Sequence, residues 1–309
     1  MSLKLSIIVP SYNEEETIML FYDALEEVHK SLTDIEYEYW FIDDGSTDKT
    51  LEILNNLHNI DEHVHYISFS RNFGKEAALY AGLENATGDL ITVMDADLQD
   101  PPTLLPEMIA GVRSGEWDSI GTRRISRDGE SKIRSLFAKT FYWLINKISS
   151  VEMVDGARDF RVMSRQMVTA VLAMPEYNRF SKGIFSWVGF RTKYLEYKNI
   201  ERVAGNTSWS FWQLCKYAIE GIVTFSEIPL VIASSLGAFM AIFSGLSLLV
   251  VVLRALINNT SVAGWPSMVA IFLFIGGIQL FVLGIIGRYI GNIYLEVKKR
   301  PIYLAKERV

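Results

Sequence analysis

The sequence predicts an α/β chain, with an open, mostly parallel sheet over residues 1–226 and a two-helix apolar hairpin behind it. Three observations predict this. Short, continuous apolar runs alternate with segments of helical spacing. Each run breaks at a cluster of Asp, Asn, Ser or Gly. The uncharged stretches long enough to cross a bilayer are confined to the last third of the chain.

Leu5–Val9 is an uninterrupted β-rich run, the pattern of a strand covered on both faces, and it ends at Pro10-Ser11-Tyr12-Asn13. Glu14–His29 then carries Ile18, Phe21, Leu25 and Val28 at helical spacing. A second strand, Tyr37–Ile42, ends at Asp43-Asp44-Gly45-Ser46, and a helix from near Asp48 carries Leu51, Leu54 and Leu57. A third, Val64–Phe69, ends at Arg71-Asn72-Phe73-Gly74-Lys75, with a helix over Glu76–Glu84. A fourth, Leu90–Met94, ends at Asp95-Ala96-Asp97. Ligands of such sheets bind beyond the carboxyl ends of the strands, and those ends hold most of the reactive residues here.

No charged residue occurs between Ile228 and Leu253 or between Ala255 and Gly287. Two spans are expected, near 229–253 and 267–287, joined by a turn over Arg254–Ser267 with Trp265 at the interface. The flanks carry Arg288, Lys298, Lys299 and Arg300 against Arg254 alone in the connection, which puts both ends in the cytoplasm. The expected organisation is a cytoplasmic domain at 1–226, a membrane hairpin at 227–290 and a cytoplasmic basic tail at 291–309. Leu5–Val9 is too short for a signal peptide and stops at Pro10.

Composition narrows the function classes. Half of the 309 residues are hydrophobic, and 30 Lys and Arg against 36 Asp and Glu leave a net charge of −6, which argues against a nucleic-acid partner. One cysteine, Cys215, excludes an intramolecular disulfide. With only four scattered histidines, no Cys/His metal site is expected.

There is no G-x-G and no G-x-x-x-x-G-K-[ST], so no glycine loop cradles phosphates. Asp95-Ala96-Asp97-Leu98-Gln99 offers another means. Two carboxylates at i and i+2, where a strand breaks, can converge on one cation, and Gln99 adds a neutral oxygen. Oxygen-only ligands suit Mg²⁺ or Mn²⁺, which also take phosphate and water. A lone D-x-D is often a polar loop; here an apolar strand precedes it and Asp100-Pro101-Pro102 follows.

Together with Ile7–Glu15, Asp43–Asp48, Arg71–Lys75, Asp159-Phe160-Arg161 and Arg202-Val203-Ala204-Gly205, this segment resembles the family 2 glycosyltransferases of GT-A fold. It is more closely similar to the polyprenyl-phosphate glycosyltransferases, the group of dolichol-phosphate mannose synthases and bactoprenol glucosyltransferases. The resemblance runs from about Leu5 to the end of the chain. It implies a Rossmann-like sheet and a nucleotide pocket lined by Pro10, Tyr12, Asn13, Glu14 and Lys75. Asp43 or Asp44 would hold the base or ribose. Asp95 would face the nucleoside and join Asp97 and Gln99 at the metal, with Asp97 and Asp159 as the catalytic pair. Asn13 reads equally as a helix N-cap.

The implied reaction is inverting transfer of one sugar from a nucleotide-sugar, UDP-glucose or another UDP-hexose, to undecaprenyl phosphate at the cytoplasmic face of the cell membrane. The product would be a lipid-linked donor for cell-envelope glycosylation. A phosphate monoester has a second pKa of about 6 and needs little help from a base. Asp159 therefore either takes a proton or orients a cation or the sugar ring. A second copy, a lipid-sugar flippase and a downstream glycosyltransferase are further partners the resemblance leaves open.

A dianionic acceptor beside a diphosphate calls for cations. Arg123, Arg134 and Arg202 are the main candidates, with Arg161, Arg179 and Lys182 behind them. The resemblance places Arg134 and Arg202 near the acceptor phosphate. Ser131–Ser149 also reads as an interfacial amphipathic helix: Ile133, Phe137, Phe141, Leu144 and Ile148 share a face, Lys132, Lys139 and Lys147 lie opposite, and Arg134 falls on the apolar side. A second apolar-biased segment spans 211–226 behind Trp209 and Trp212. Ser208 departs from the family pattern, which often has Lys there. Two rival readings are a processive polysaccharide synthase, which would need a Q-x-x-R-W motif and more spans, and a non-catalytic membrane-anchored sugar-nucleotide scaffold.

Overall fold

The computed structural model describes residues 3–125, 140, 142–149, 151–197, 221–258 and 264–309. Arg134, Arg202, Ser208 and most of both expected interfacial helices lie outside these residues. The chain divides into two units, Met1–Gly221 with Arg300–Val309, and Ile222–Lys299.

Among the described residues the first unit is built on eight strands: β1 (Leu3–Ser11), β2 (Ile35–Asp43), β3 (Val64–Phe69), β4 (Leu90–Val93), β5 (Ser119–Arg124), β6 (Ala157–Ser164), β7 (Thr192–Tyr197) and β8 (Ala305–Arg308). They form one sheet in the order β7-β5-β6-β4-β1-β2-β3-β8. Helices α1 (Ile18–His29), α2 (Thr50–Ile60), α3 (Lys75–Asn85), α4 (Leu105–Arg113), α5 (Arg165–Leu172) and α6 (Ser181–Trp187) accompany it. The expected parallel pattern holds for β4-β1-β2-β3, whose neighbours are all parallel. Beyond it the sheet is mixed. β6 runs antiparallel to β4 and β5, and β8 antiparallel to β3.

Apolar side chains of β1 and β2, among them Leu5, Ile7, Val9 and Phe41, pack with Phe21 and Leu25 of α1 in the core. Each such burial stabilises the fold by ~1.5–3 kcal/mol. One charge is buried with them. Glu38 of β2 accepts Ser6 Oγ and Thr87 N–H, both at 2.6 Å, and pairs with Lys4 at 2.7 Å. Burial alone would raise its pKa, but these donors outweigh it and hold the carboxyl down to about 2.

Two expectations shift. α1 begins at Ile18 rather than Glu14: residues 14–17 form a turn in which the Glu14 carbonyl accepts the Thr17 and Ile18 N–H groups, while the N–H groups of Asn13 and Glu14 go to Ser46 Oγ (2.9 Å) and Thr50 Oγ1 (2.8 Å). The segment expected as a basic tail is not a tail. Residues to Lys298 are helical, and β8 adds to the β3 edge, with Val309 and Tyr66 exchanging backbone bonds at 3.0 and 3.2 Å. Tyr303 stacks on Phe69 with ring centroids 4.9 Å apart and donates to Glu84 at 2.6 Å. Within the segment expected as an interfacial helix, residues 142–148 are helical, with Ile145 buried and Leu144 and Ile148 half-buried.

The second unit holds α7 (Ile228–Asn258) and α8 (Trp265–Lys298), which pack on one another. At ~1.5 Å per residue either is longer than the ~30 Å hydrocarbon core of a bilayer. Among the described residues, the stretches long and apolar enough to cross a membrane are Ile228–Ser247 and Phe274–Lys298. Both helices run into the segment expected as a turn, since α7 continues past Arg254 to Asn258 and α8 starts at Trp265. Phe239, Phe243, Leu246, Phe272, Phe274 and Phe281 are all exposed, an apolar surface that water solvates poorly.

Candidate functional site

The carboxyl ends of β1 to β4 carry the site, and short polar bonds lock their loops together. Asn13 and Leu98 sit at these ends with φ of 55° each, a left-handed backbone that costs a non-glycine residue energy and concentrates at functional loops. Asn13 Oδ1 accepts the Thr47 N–H at 2.8 Å, so it ties the β1 loop to the β2 loop and does not cap α1. Glu14 accepts the Thr17 hydroxyl at 2.6 Å; Tyr12 is exposed beside it and Pro10 half-buried.

Asp43 and Asp44 are both buried, with different duties. Asp43 accepts Ser46 N–H at 3.0 Å and Ser68 Oγ at 2.7 Å, which joins β2 to β3. Asp44 accepts the N–H groups of Phe73 (2.6 Å) and Gly74 (2.9 Å). Burial pushes the Asp44 carboxyl up to about 6 against the pull of those two donors. Gly45 between the loops has φ +70°, and a Cβ there would lie 2.6 Å from the Arg71 carbonyl carbon, so only glycine fits. These contacts fix the start of α3 and with it Lys75.

Lys75 Nζ lies 2.7 Å from Asp95 and 2.8 Å from Asp159. The register explains the meeting of residues so far apart in sequence. β4 and β6 pair antiparallel with Val93 opposite Arg161. Two further steps along each chain set Asp95 against Asp159. Burial opposes charge on both Lys75 and Asp159. Their attraction outweighs it, so Lys75 is held protonated well above the usual lysine range and Asp159 ionised well below the usual carboxylate range, with Lys182 and Arg158 adding to the second effect. Asp97 is buried on the same loop and accepts the Gln99 N–H at 3.1 Å.

No group of three His, Cys, Asp or Glu that could hold a metal occurs among the described residues. A cage made of protein alone therefore does not fit. Two carboxylates on one loop do fit a hard ion that completes its shell with phosphate oxygens and water. Lys75 already supplies one positive charge to Asp95, so the loop favours cations in the absence of substrate.

The candidate cations separate. Arg123 donates through Nε to the Asp155 carbonyl at 3.0 Å and lies 3.5 Å from Glu196. Arg161 is buried over the Phe185 ring at 4.1 Å, and Arg179 over Tyr80 at 4.7 Å, so both are packed into the fold. Lys182 is half-buried and close enough to stabilise the Asp159 charge. The sequence reading missed three residues here. Glu76, on α3 directly after Lys75, is buried and accepts both the N–H (3.0 Å) and the hydroxyl of Ser181. Asp100 accepts Arg158 Nε at 3.1 Å and the Tyr197 hydroxyl. The position of Asp100 behind the D-x-D loop was the available signal; nothing in the sequence marked Arg158.

The family model described as Glycosyl transferase family 2 matches residues 6–172. Among curated relatives, the Bacillus subtilis protein named "Putative glycosyltransferase CsbB" is 46% identical over 98% of this chain and 91% of its own length. The bactoprenol glucosyl transferase of Shigella phage SfX is 43% identical over 99% of this chain and 100% of its own. A prophage bactoprenol glucosyl transferase homolog of Escherichia coli is 43% identical over 98% and 99%.

Proposed function

The chain belongs to glycosyl transferase family 2, and on that footing we propose that it moves one sugar, with inversion, from a UDP-hexose to a polyprenyl phosphate at the cytoplasmic membrane face. The observation that carries this reading is the cluster of Lys75, Asp95 and Asp159 beside Asp97 at the strand ends. Names of full-length relatives at 42–43% identity support bactoprenol as acceptor and glucose as the sugar.

The acceptor phosphate is largely dianionic at pH 7 and is itself the nucleophile. It needs cations to approach a diphosphate more than it needs a base. Asp159 is held ionised by Lys75, so its part is to place the Lys75 ammonium rather than to take a proton. Lys75 in turn faces the developing negative charge of the leaving diphosphate. Asp95, Asp97 and Gln99 would hold Mg²⁺ or Mn²⁺, which when bound supplies further neutralisation of that charge. Pro10, Tyr12, Asn13 and Glu14, with Asp43 or Asp44, would seat the nucleotide, and Arg123, Arg134 and Arg202 would attend the phosphates.

The membrane location is part of the proposal. The chain leaves the first unit at Gly221 and rejoins it at Arg300, so a two-span excursion returns to the side it left. The exposed apolar faces of α7 and α8 suit lipid.

The test is nucleotide release by the purified chain over a panel of UDP- and GDP-sugars, with and without undecaprenyl phosphate. Release from UDP-glucose that requires the lipid, and stops in EDTA, is expected. Release that ignores the lipid, or full activity in EDTA, contradicts the respective part of the reading.

A further inference from the structure

Arg158 stands one residue before Asp159 at the start of β6 and is held from two directions. Its Nε donates to Asp100 at 3.1 Å, and the same carboxylate oxygen accepts the Tyr197 hydroxyl from β7. Asp100 is only 2% exposed, so this anchor is fixed. The Arg158 carbonyl accepts Arg161 Nη2 at 3.2 Å, and Arg161 is itself pinned on Phe185. Side chain and main chain are thus both set.

Among the described residues neither Nη1 nor Nη2 of Arg158 has a hydrogen-bond partner, and the side chain keeps 24% of its surface exposed. It still feels the charges of Asp95 and Asp159. Tied through Nε and free at both Nη, an arginine presents two parallel N–H donors, the geometry that grips a phosphate.

We propose that Arg158 is a phosphate-gripping residue of the transfer site, preset by Asp100 and Tyr197, whose two Nη groups take oxygens of a substrate phosphate. The inference rests on the transfer reading above. The shared chemistry is a phosphate group, which the donor diphosphate and the lipid acceptor both offer.

The test uses the purified full chain and the variants Arg158→Gln, Arg158→Lys and Tyr197→Phe. Affinity for UDP, or for GDP if the wild type prefers it, is measured by calorimetry with Mg²⁺, with the free nucleoside as control. The apparent KM for undecaprenyl phosphate is measured in parallel. Arg158→Gln is expected to weaken one of the two by about 10- to 100-fold, the size of a charge-assisted hydrogen bond, while nucleoside affinity stays put. Arg158→Lys restores little of it, because an ammonium lacks the fork. Tyr197→Phe shifts the same parameter less, with the fold intact. Weakened nucleotide affinity assigns Arg158 to the donor, and a raised lipid KM with unchanged nucleotide affinity assigns it to the acceptor. Both parameters within twofold of wild type in Arg158→Gln overturn the proposal, whatever happens to kcat or Tm. A wild type that binds nucleotide yet makes no lipid product refutes the transfer reading alone; unchanged nucleotide affinity in Arg158→Gln then overturns this one.

Discussion

Replacing Lys75 by Met tests whether this lysine holds the strand ends together. The substitution keeps the length of the side chain and removes the charge that Asp95 and Asp159 share at 2.7 and 2.8 Å. Breaking a buried pair by deleting one partner costs ~3–5 kcal/mol. Here Lys75 is 36% exposed, Asp95 25% and Asp159 18%, so solvent screens part of the repulsion left behind. A loss of about 2–3 kcal/mol is the discounted figure, which lowers Tm by roughly 4–12 °C in a domain of this size. Asp159 has a depressed pKa, so its contribution is present above the unfolded carboxylate value near ~4 and fades as pH falls below it; Lys75 has a raised one, so its contribution persists up to the unfolded lysine value near ~10 and is lost above its folded value. The gap between wild type and variant should therefore be widest between those limits and close below pH ~4. Thermal unfolding in detergent, with and without millimolar Mn²⁺, is the assay. Mn²⁺ should recover more stability in the variant than in the wild type, because the freed carboxylates accept the ion. A variant as stable as wild type at pH 7 refutes the bridge, and a metal effect no larger than in wild type refutes the view that Lys75 shares its ligands with the ion.

Three further outcomes follow from separate parts of the molecule. Asp44 titrates near 6 and holds the Phe73 and Gly74 N–H groups, so nucleotide affinity should fall as pH drops below about 6 and this inflection should vanish in Asp44→Asn, as read by calorimetry across pH. Removing residues 301–309 strips the β3 edge of its antiparallel partner and Tyr303 from Phe69, so the shortened chain should unfold at lower temperature and aggregate; unchanged Tm would show that β8 contributes nothing. A tag placed at 259–263 should be reachable only from outside intact cells and a tag at either terminus only from inside, and cytoplasmic labelling of the 259–263 tag would refute the two-span topology.

How far the sequence could lead depended on what each element looked like from within its own segment. β3 was legible to the residue, Val64–Phe69, because an apolar run with clear breaks at both ends leaves no room to slide. β1 and β2 proved longer than their apolar centres, running through Leu3, Lys4 and Ser11 in the first and Ile35, Glu36 and Asp43 in the second, polar or flanking positions that no apolar run marks. β5 and β6 were invisible as strands. Their sequences, Ser119–Arg124 and Ala157–Ser164, are interrupted by arginines and an aspartate, of which the assembled sheet buries Arg161. β8 hid in a charged C-terminus whose value lies in backbone bonds. The D-x-D loop and Asp159 were each visible as residue types. Their meeting through Lys75 was not, because it follows from the antiparallel β4–β6 register. Arg158 was missed for the same reason, since its anchor Asp100 is 58 residues away in sequence. Asn13 was readable as a polar turn residue, and tertiary bonds to the β2 loop decided against its role as a helix cap.

The product of the reaction distinguishes single transfer to the lipid from every other reading. Mass spectrometry of the organic phase after incubating the purified chain with UDP-glucose, Mg²⁺ and undecaprenyl phosphate reads it directly. Undecaprenyl phosphate heavier by a single hexose is expected, made by wild type and lost in Asp97→Ala with the fold retained. A ladder of several sugars on the lipid, an unmodified lipid under every donor tried, or undiminished product in Asp97→Ala would contradict this expectation.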